Sequence, residues 1–288
     1  MTERPWSYAR ERSLEPDLAP AREALCRSAI ASQVDALYLP AVAWMRDLRS
    51  RANDPVVVGV NGPQGGGKST LAARAVEGLG ALGLRAVTLS IDDVYLTRPE
   101  QLALARAHPD NPLLAVRGAP GTHDVALGAR LLDALRDGGR VVLPTYDKGA
   151  FDGAGDRAPE DRWRAVEGPF DLIVFEGWTL GFAPTSGIAD PHLAAVNERL
   201  RAYAAWNRRL DALLHLDVDD LDLVVRWRVE SEQRRRAVEG RGLTDEGARA
   251  YVTRFLPLYR AYLPGLRASP PVRGPSLRVV LGEDRLPQ

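Results

Sequence analysis

The sequence predicts an α/β protein: a parallel β-sheet with helices on both faces. Two observations carry this. Short, nearly continuous apolar runs at 55–60, 85–91 and 171–175 are rich in Val, Ile and Leu, as strands buried on both faces require. Between them lie segments of ten or more residues with apolar side chains at helical spacing, the pattern that crossover connections impose on a parallel sheet. The composition agrees, since 45% hydrophobic and 26% charged residues are ordinary for a globular chain and unlike a disordered one.

Taken in order, residues 1–20 carry Pro5, Pro16 and Pro20 among mixed charges and read as a poorly ordered lead. Residues 21–51 have helical periodicity, and Pro40 predicts a break into two helices. The run Pro55-Val56-Val57-Val58-Gly59-Val60 is a buried strand, followed by a glycine-rich turn and a helix over 69–82 that ends near Gly83. A second strand at 85–91 precedes a helix at 125–136. A short strand at 141–143 leads into a Gly/Asp-rich loop over 147–159, and 171–175 is the third clear strand. Then come a helix at 194–210, a strand at 212–218, a strongly charged helix at 221–238, a helix at 244–262 and a last strand at 277–281. This divides the chain into a mostly helical N-terminal extension, 1–54, and a main domain, 55–288, with a helical arginine-rich lid at about 221–243.

Charge and cysteine content narrow the function. With 38 basic and 38 acidic side chains the formal charge is zero, which argues against binding nucleic acid by phosphate neutralisation. No apolar run approaches bilayer length, and the polar start, Met1 to Arg12, lacks the apolar core of a signal peptide, so no membrane association is expected. The single cysteine, Cys26, fits a reducing, cytoplasmic compartment, and one Cys with four histidines makes a zinc site improbable. Of the 38 basic residues only Lys68 and Lys148 are lysines. In so arginine-biased a chain, a retained lysine marks a place that wants a compact three-donor cation rather than a planar fork.

Lys68 lies in Gly62-Pro63-Gln64-Gly65-Gly66-Gly67-Lys68-Ser69, which satisfies G-x-x-x-x-G-K-[ST] between a strand and a helix. Such a phosphate-binding loop, or P-loop, converges backbone N–H groups and a helix N-terminus on phosphate oxygens. Gly62, Gln64, Gly65, Gly66, Gly67, Lys68, Ser69 and Thr70 are therefore the expected ATP-binding residues, with Lys68 bridging phosphates and Ser69 ligating Mg²⁺. A GTPase would carry N-K-x-D, which neither lysine satisfies.

The second strand ends in Ser90-Ile91-Asp92-Asp93-Val94-Tyr95, at the sheet edge where α/β proteins bind ligands. Asp92 is the expected proton acceptor for an acceptor hydroxyl, with service to Mg²⁺ left open, and Tyr95 is an expected substrate contact. Glu176 closes an apolar strand as a metal-holding acid should. Arg117, Thr122, His123 and Asp124 in one Gly/Pro-fixed turn, and Tyr146 and Lys148 in the Gly-rich loop, complete the expected substrate-binding set. In the charged helix, Arg228 is expected to act in catalysis, and Arg234 and Arg235 to bind ATP as the lid closes.

Together these motifs resemble one family, the plant-type D-glycerate 3-kinases, within the phosphoribulokinase and uridine kinase group of P-loop kinases. The matching stretches are 62–70, 90–97, 117–124, 144–148, 155–158, 174–182, 227–230 and 255–264, with Tyr38-Leu39-Pro40 near the start, so the likeness covers about 35–265. The resemblance implies a P-loop NTPase-type fold and ATP-dependent phosphorylation of the 3-hydroxyl of D-glycerate. It departs at Val94, where the family usually has an aromatic residue, and at Thr179, where Met is more usual; both departures are expected to alter the wall of the acceptor pocket. The residues alone leave open a kinase for a nucleoside, pantothenate or another sugar acid, or an ATP-binding regulatory protein without turnover. They do not fix the oligomeric state.

Overall fold

The computed structural model describes residues 5–240 and 242–288; residues 1–4 of the expected lead and Arg241 of the expected lid lie outside it. The rest of the lead is ordered as α1 (Trp6–Arg12), a 3₁₀ turn and α2 (Ala19–Cys26). Its order comes from distant partners that local composition does not reveal. Asp47 accepts hydrogen bonds from Tyr8 Oη and Arg12 Nε, both at 2.8 Å, while Arg46 pairs with Glu15 and Asp17. Pro40 does not break the chain's helical course. One turn, α3 (Ala31–Gln33), passes through a π-helical turn over Val34–Tyr38 into α4 (Leu39–Ser50). Pro40 directly follows the π-helical turn, whose wider backbone accommodates a residue that has no N–H to give the turn before it.

β1 (Val56–Asn61) is buried throughout and feeds the phosphate loop, from which α5 (Lys68–Ala81) departs. β2 (Ala86–Ser90) ends in a 3₁₀ turn, Ile91–Val94. Then follows α6 (Arg98–Ala107), a helix absent from the sequence reading, opened by a Thr97/Glu100 capping box. α7 (Val125–Asp137) is capped by Asp124. The short strand expected at 141–143 forms as β3 (Arg140–Leu143), and β4 (Tyr146–Asp147), β5 (Asp156–Arg157) and β6 (Arg164–Glu167) follow. β3 pairs antiparallel with β6, and β4 with β5, both outside the main sheet.

β7 (Leu172–Glu176) and β8 (Ala212–Asp217) are fully buried. The segment between them is interrupted: α8 (Pro191–Leu200), a 3₁₀ turn at Arg201–Tyr203, and α9 (Ala204–Asn207) replace one long helix. The charged helix is α10 (Asp222–Glu239). The helix expected at 244–262 is two, α11 (Asp245–Thr253) and α12 (Leu256–Ala268), because Pro257 is suited to a helix's first turn rather than its interior. β9 (Ser276–Val280) closes the chain's last crossover.

Among the described residues the main sheet has five strands in the order β2-β7-β1-β8-β9, all parallel. The register aligns Val60 and Ser90 with Glu176. Consequently the phosphate loop, the Asp92 turn and the Glu176 terminus emerge side by side at one sheet edge. The N-terminal helices share the core through Leu25 and Val42, which contact Gly78 of α5. No described helix is long and apolar enough to cross a membrane.

Candidate active site

The phosphate loop is built for close backbone approach. Gly65 has φ +77°, and a Cβ there would lie 2.7 Å from the Trp227 backbone of α10, so a glycine is required both by conformation and by the packed lid helix. Gly62 and Gly66 are buried, and the exposed Ser69 and Thr70 stand on the first turn of α5. The Gln64 N–H donates to Tyr259 Oη at 3.0 Å, which ties the loop to α12. Lys68 Nζ donates to the Pro63 carbonyl at 3.2 Å, folding back over its own loop. Burial pulls its ammonium below the usual range, opposed by the charges of Glu176 and Asp92.

Ser69 Oγ donates to Glu176 Oε1 at 2.8 Å. A hydroxyl and a carboxylate held together beside a phosphate loop are the hard-oxygen donors that Mg²⁺ takes, leaving its remaining positions to phosphates and water. Among the described residues no cluster of three or more His, Cys, Asp or Glu forms an all-protein metal cage.

Beside them, Lys148 Nζ donates to Asp92 Oδ2 at 2.5 Å. Burial alone would raise the Asp92 carboxyl, but the charge and hydrogen bond of Lys148, with Lys68 behind it, hold it well below the usual carboxylate range. Asp92 in turn raises the Lys148 ammonium. The neighbouring Asp93 is pushed up to about 6 by burial and by the charges of Asp92 and Glu176. Burial and the Asp92 charge raise the Tyr95 phenol, so it stays protonated beside Asp92.

These groups line one cavity of about 160 Å³: Gln64, Lys68, Ser69, Asp92, Tyr95, Arg117, Lys148, Glu176 and Arg228 from the expected set, and Trp178 and Tyr251, which sequence reasoning did not single out. Trp178 follows Glu176 closely enough that its place was readable. Tyr251 had no local signal, since only the packing of α11 on α10 brings it in. Its ring lies 4.9 Å under the Arg228 guanidinium, whose Nη2 also donates to Glu232 at 2.5 Å. A second cavity, about 360 Å³, opens on the other side of the loop. Residues 65–70 and Arg234 border it, with Gln33, Leu37 and Tyr38 from the N-terminal helices and Asp284, Arg285 and Leu286 from beyond β9. Arg235 lines a third cavity next to Arg117, Lys148 and Arg228. A larger cleft of about 720 Å³ runs along α1 and α2 and lies apart from all of these groups.

Four expected substrate contacts do not line the cavity that holds Asp92 and Lys148. Thr122 is fully buried, its Oγ1 donating to the Ala119 carbonyl at 2.8 Å and accepting from Gly118 N at 3.0 Å, so the hydroxyl is consumed by its own turn. His123 stacks on Tyr95 with ring centroids 4.3 Å apart, and its Nδ1 lies 2.6 Å from Tyr203 Oη. Burial pushes this imidazole down to about 3, so it is neutral at pH 7. Asp124 accepts from Leu127 N at 2.9 Å as the cap of α7. Tyr146 is also withdrawn: it packs edge-on against Tyr95 beneath Arg117. These residues build the wall behind Tyr95 instead of the cavity surface. Val94 and Thr179 are likewise buried, each next in sequence to a lining residue, Tyr95 and Trp178, and neither lines the cavity itself.

Comparison with known proteins follows this geometry. Over 271 residues the chain is 37% identical to the chloroplastic D-glycerate 3-kinase of Arabidopsis thaliana, covering 87% of this chain and 59% of that protein. An uncharacterized kinase of Schizosaccharomyces pombe is 34% identical over 249 residues, 81% of this chain and 90% of that one. The D-glycerate 3-kinase structure from Cryptococcus neoformans var. grubii superposes with a TM-score of 0.77 at 32% identity, covering 90% of this chain and 98% of that chain. The chain belongs to the D-glycerate 3-kinase family. Its fold is that of the P-loop kinases, as the family resemblance implied. No family model matches the chain. The chain spans 59% of the length of the Arabidopsis member of the family, which its name places in the chloroplast.

Proposed function

We propose that this protein transfers the γ-phosphoryl group of ATP to the 3-hydroxyl of D-glycerate, giving 3-phosphoglycerate. The observation that carries the reading is the pairing of Asp92 and Lys148 in one small cavity that also holds Lys68 of the phosphate loop. A hydroxy acid needs a proton acceptor for its hydroxyl and a cation for its carboxylate, and this cavity has both beside the phosphate-binding groups. ATP lies with its phosphates on residues 62–70, and Arg234 and Arg235 approach from the lid.

In this reading the acceptor oxygen attacks the γ-phosphorus in line with the departing ADP, and Asp92 takes the hydroxyl proton. Lys68 and Arg228 neutralise charge that spreads onto the phosphoryl oxygens. Ser69 and Glu176 would hold Mg²⁺, which supplies further neutralisation of the phosphates when bound. The cytoplasm is the proposed location, on the cysteine usage of the sequence.

ADP release from Mg-ATP tests the proposal, with D-glycerate, L-glycerate, uridine and pantothenate as parallel acceptors. Strong stimulation by D-glycerate alone is expected. Stimulation by another acceptor only would reassign the cavity, and ATP binding without stimulation by any acceptor would point to a protein without turnover.

A further inference from the structure

We propose that Lys148 locks Asp92 until the carboxylate of the acceptor engages the Lys148 ammonium, so that the acid group of the acceptor, not its hydroxyl alone, switches the proton acceptor on. The inference rests on the kinase reading above and goes beyond it in assigning Lys148 a gating role.

The geometry is that of an occupied base. Lys148 Nζ sits 2.5 Å from Asp92 Oδ2, so an oxygen that must receive a proton already accepts one from the ammonium. The Lys148 side chain is 46% exposed, within reach of an entering anion. Arg117, the other cation expected to meet the substrate carboxylate, is spent elsewhere. Its Nη1 donates to the carbonyls of Gly153, at 2.8 Å, and Ala154, and its Nη2 to that of Lys148 at 3.4 Å. The guanidinium therefore clasps the 148–155 loop. Gly155 shows how tightly: at φ +80°, a Cβ there would lie 2.6 Å from the Tyr146 ring and 2.7 Å from Arg117 Nη1. Arg117 is a positioning residue for Lys148. Arg228 is held by Glu232 and Lys68 folds onto the Pro63 carbonyl of the phosphate loop, which leaves Lys148 as the cation in the cavity whose carboxylate partner an incoming acid can replace or share.

The charges acting on Asp92 come from every side: Lys148 from its loop, Lys68 from α5, and Tyr95, with Asp93 beside it, Glu176 close by on β7 and neutral His123 behind Tyr95. A carboxylate on Lys148 removes the nearest positive charge and leaves acidic neighbours, so Asp92 accepts a proton more readily. The acceptor oxygen then bonds to the γ-phosphorus, the bond from that phosphorus to the bridging oxygen breaks with its electron pair leaving on ADP, and the hydroxyl proton passes to Asp92 and on to solvent. With water in place of the hydroxyl the product is inorganic phosphate, and this is the reaction that the lock suppresses.

D-Lactate tests the lock, because it carries the carboxylate and 2-hydroxyl of glycerate without the 3-hydroxyl. With the intact protein and Mg-ATP, D-lactate is expected to raise phosphate release about tenfold or more, the least effect of relieving an adjacent opposite charge, whereas glycerol is not. In Lys148→Met, water-driven hydrolysis should rise without any acid present and no longer respond to D-lactate, with ATP affinity preserved. A merely structural role for Lys148 would leave basal hydrolysis unchanged or lower. D-Lactate without effect on the unmodified protein, or with equal effect on Lys148→Met, overturns the lock. If Lys148→Met loses ATP binding, the D-lactate and glycerol comparison on the unmodified protein decides alone. Phosphorylation of D-glycerate in the same preparation separates the two claims: its absence refutes the kinase reading, and its presence with a failed D-lactate arm refutes only the lock.

Discussion

Replacing Asp92 with Asn keeps the size and planarity of the side chain but removes the negative charge and the ability to take a proton. The structure separates the catalytic consequence from the structural one. Asp92 and Lys148 are 31% and 46% exposed, so their pair is half-solvated and its loss costs about 0–1 kcal/mol of stability. Proton acceptance in the transition state is worth about 10²–10⁴ in rate, so kcat for D-glycerate should fall by that factor. ATP binding should hold, because Asp92 lies on the acceptor side of the loop and losing its charge does not remove a phosphate ligand. A coupled ADP assay, a nucleotide titration and urea unfolding on one preparation read the three quantities. A kcat within about tenfold of the parent, with stability and ATP affinity unchanged, would remove Asp92 from the proton-accepting role.

Lys68→Met should abolish transfer and weaken ATP binding, and retained activity would contradict the phosphate-loop assignment. Tyr203→Phe leaves His123 Nδ1 and the Gly121 N–H without their shared partner, so stability should drop by about 1–3 kcal/mol, with acceptor KM rising more than kcat falls; an unchanged unfolding midpoint would count against the packed wall behind Tyr95. His123 and His215 are held neutral by burial, at about 3 and about 4, against the ordinary ~6.5. Below that pH the unfolded chain takes up both protons first, and stability falls by about 1.4 kcal/mol per pH unit for each until the folded values are reached. Asp93, raised to about 6, has the opposite sign: its contribution is complete below ~3.9 and is lost as pH rises through 6. Urea midpoints should therefore be lower at pH 5 than at pH 7, His215→Asn should narrow the gap and Asp93→Asn widen it; equal midpoints for the parent would refute this reading.

What was legible in the sequence was whatever local pattern dictates. The β-branched run before Gly62, the glycines and the helix after Lys68 define the phosphate loop without reference to any distant residue, and Asp92 and Glu176 were readable because strand ends in a parallel sheet share one edge. The Thr97/Glu100 capping box was equally local and went unread. Thr122, His123 and Asp124 were misplaced for a different reason. Their side-chain chemistry suits a ligand, but Tyr203 and the first turn of α7 take two of them, and the 118–122 turn takes the third. Polar groups are consumed by whichever partner folding delivers, and spacing does not reveal that partner. The ordering of α1 by Asp47 and the spending of Arg117 on the 148–155 loop belong to the same class.

The phosphate loop stands between two cavities and is a wall of both. β2 and β7 lie on one side of β1 and bring Asp92 and Glu176 to the first cavity, whereas the second draws on Gln33, Leu37 and Tyr38 and on the turn after β9. The two recognition surfaces thus share a partition and draw on segments far apart in the sequence. On the proposed reading, change at 33–38 or 284–286 touches the cavity on the nucleotide side of the loop, and change at 92, 95, 117 or 148 the cavity on the acceptor side. On that reading the order of the five strands lets the acceptor side of this protein change while the nucleotide side stays as it is.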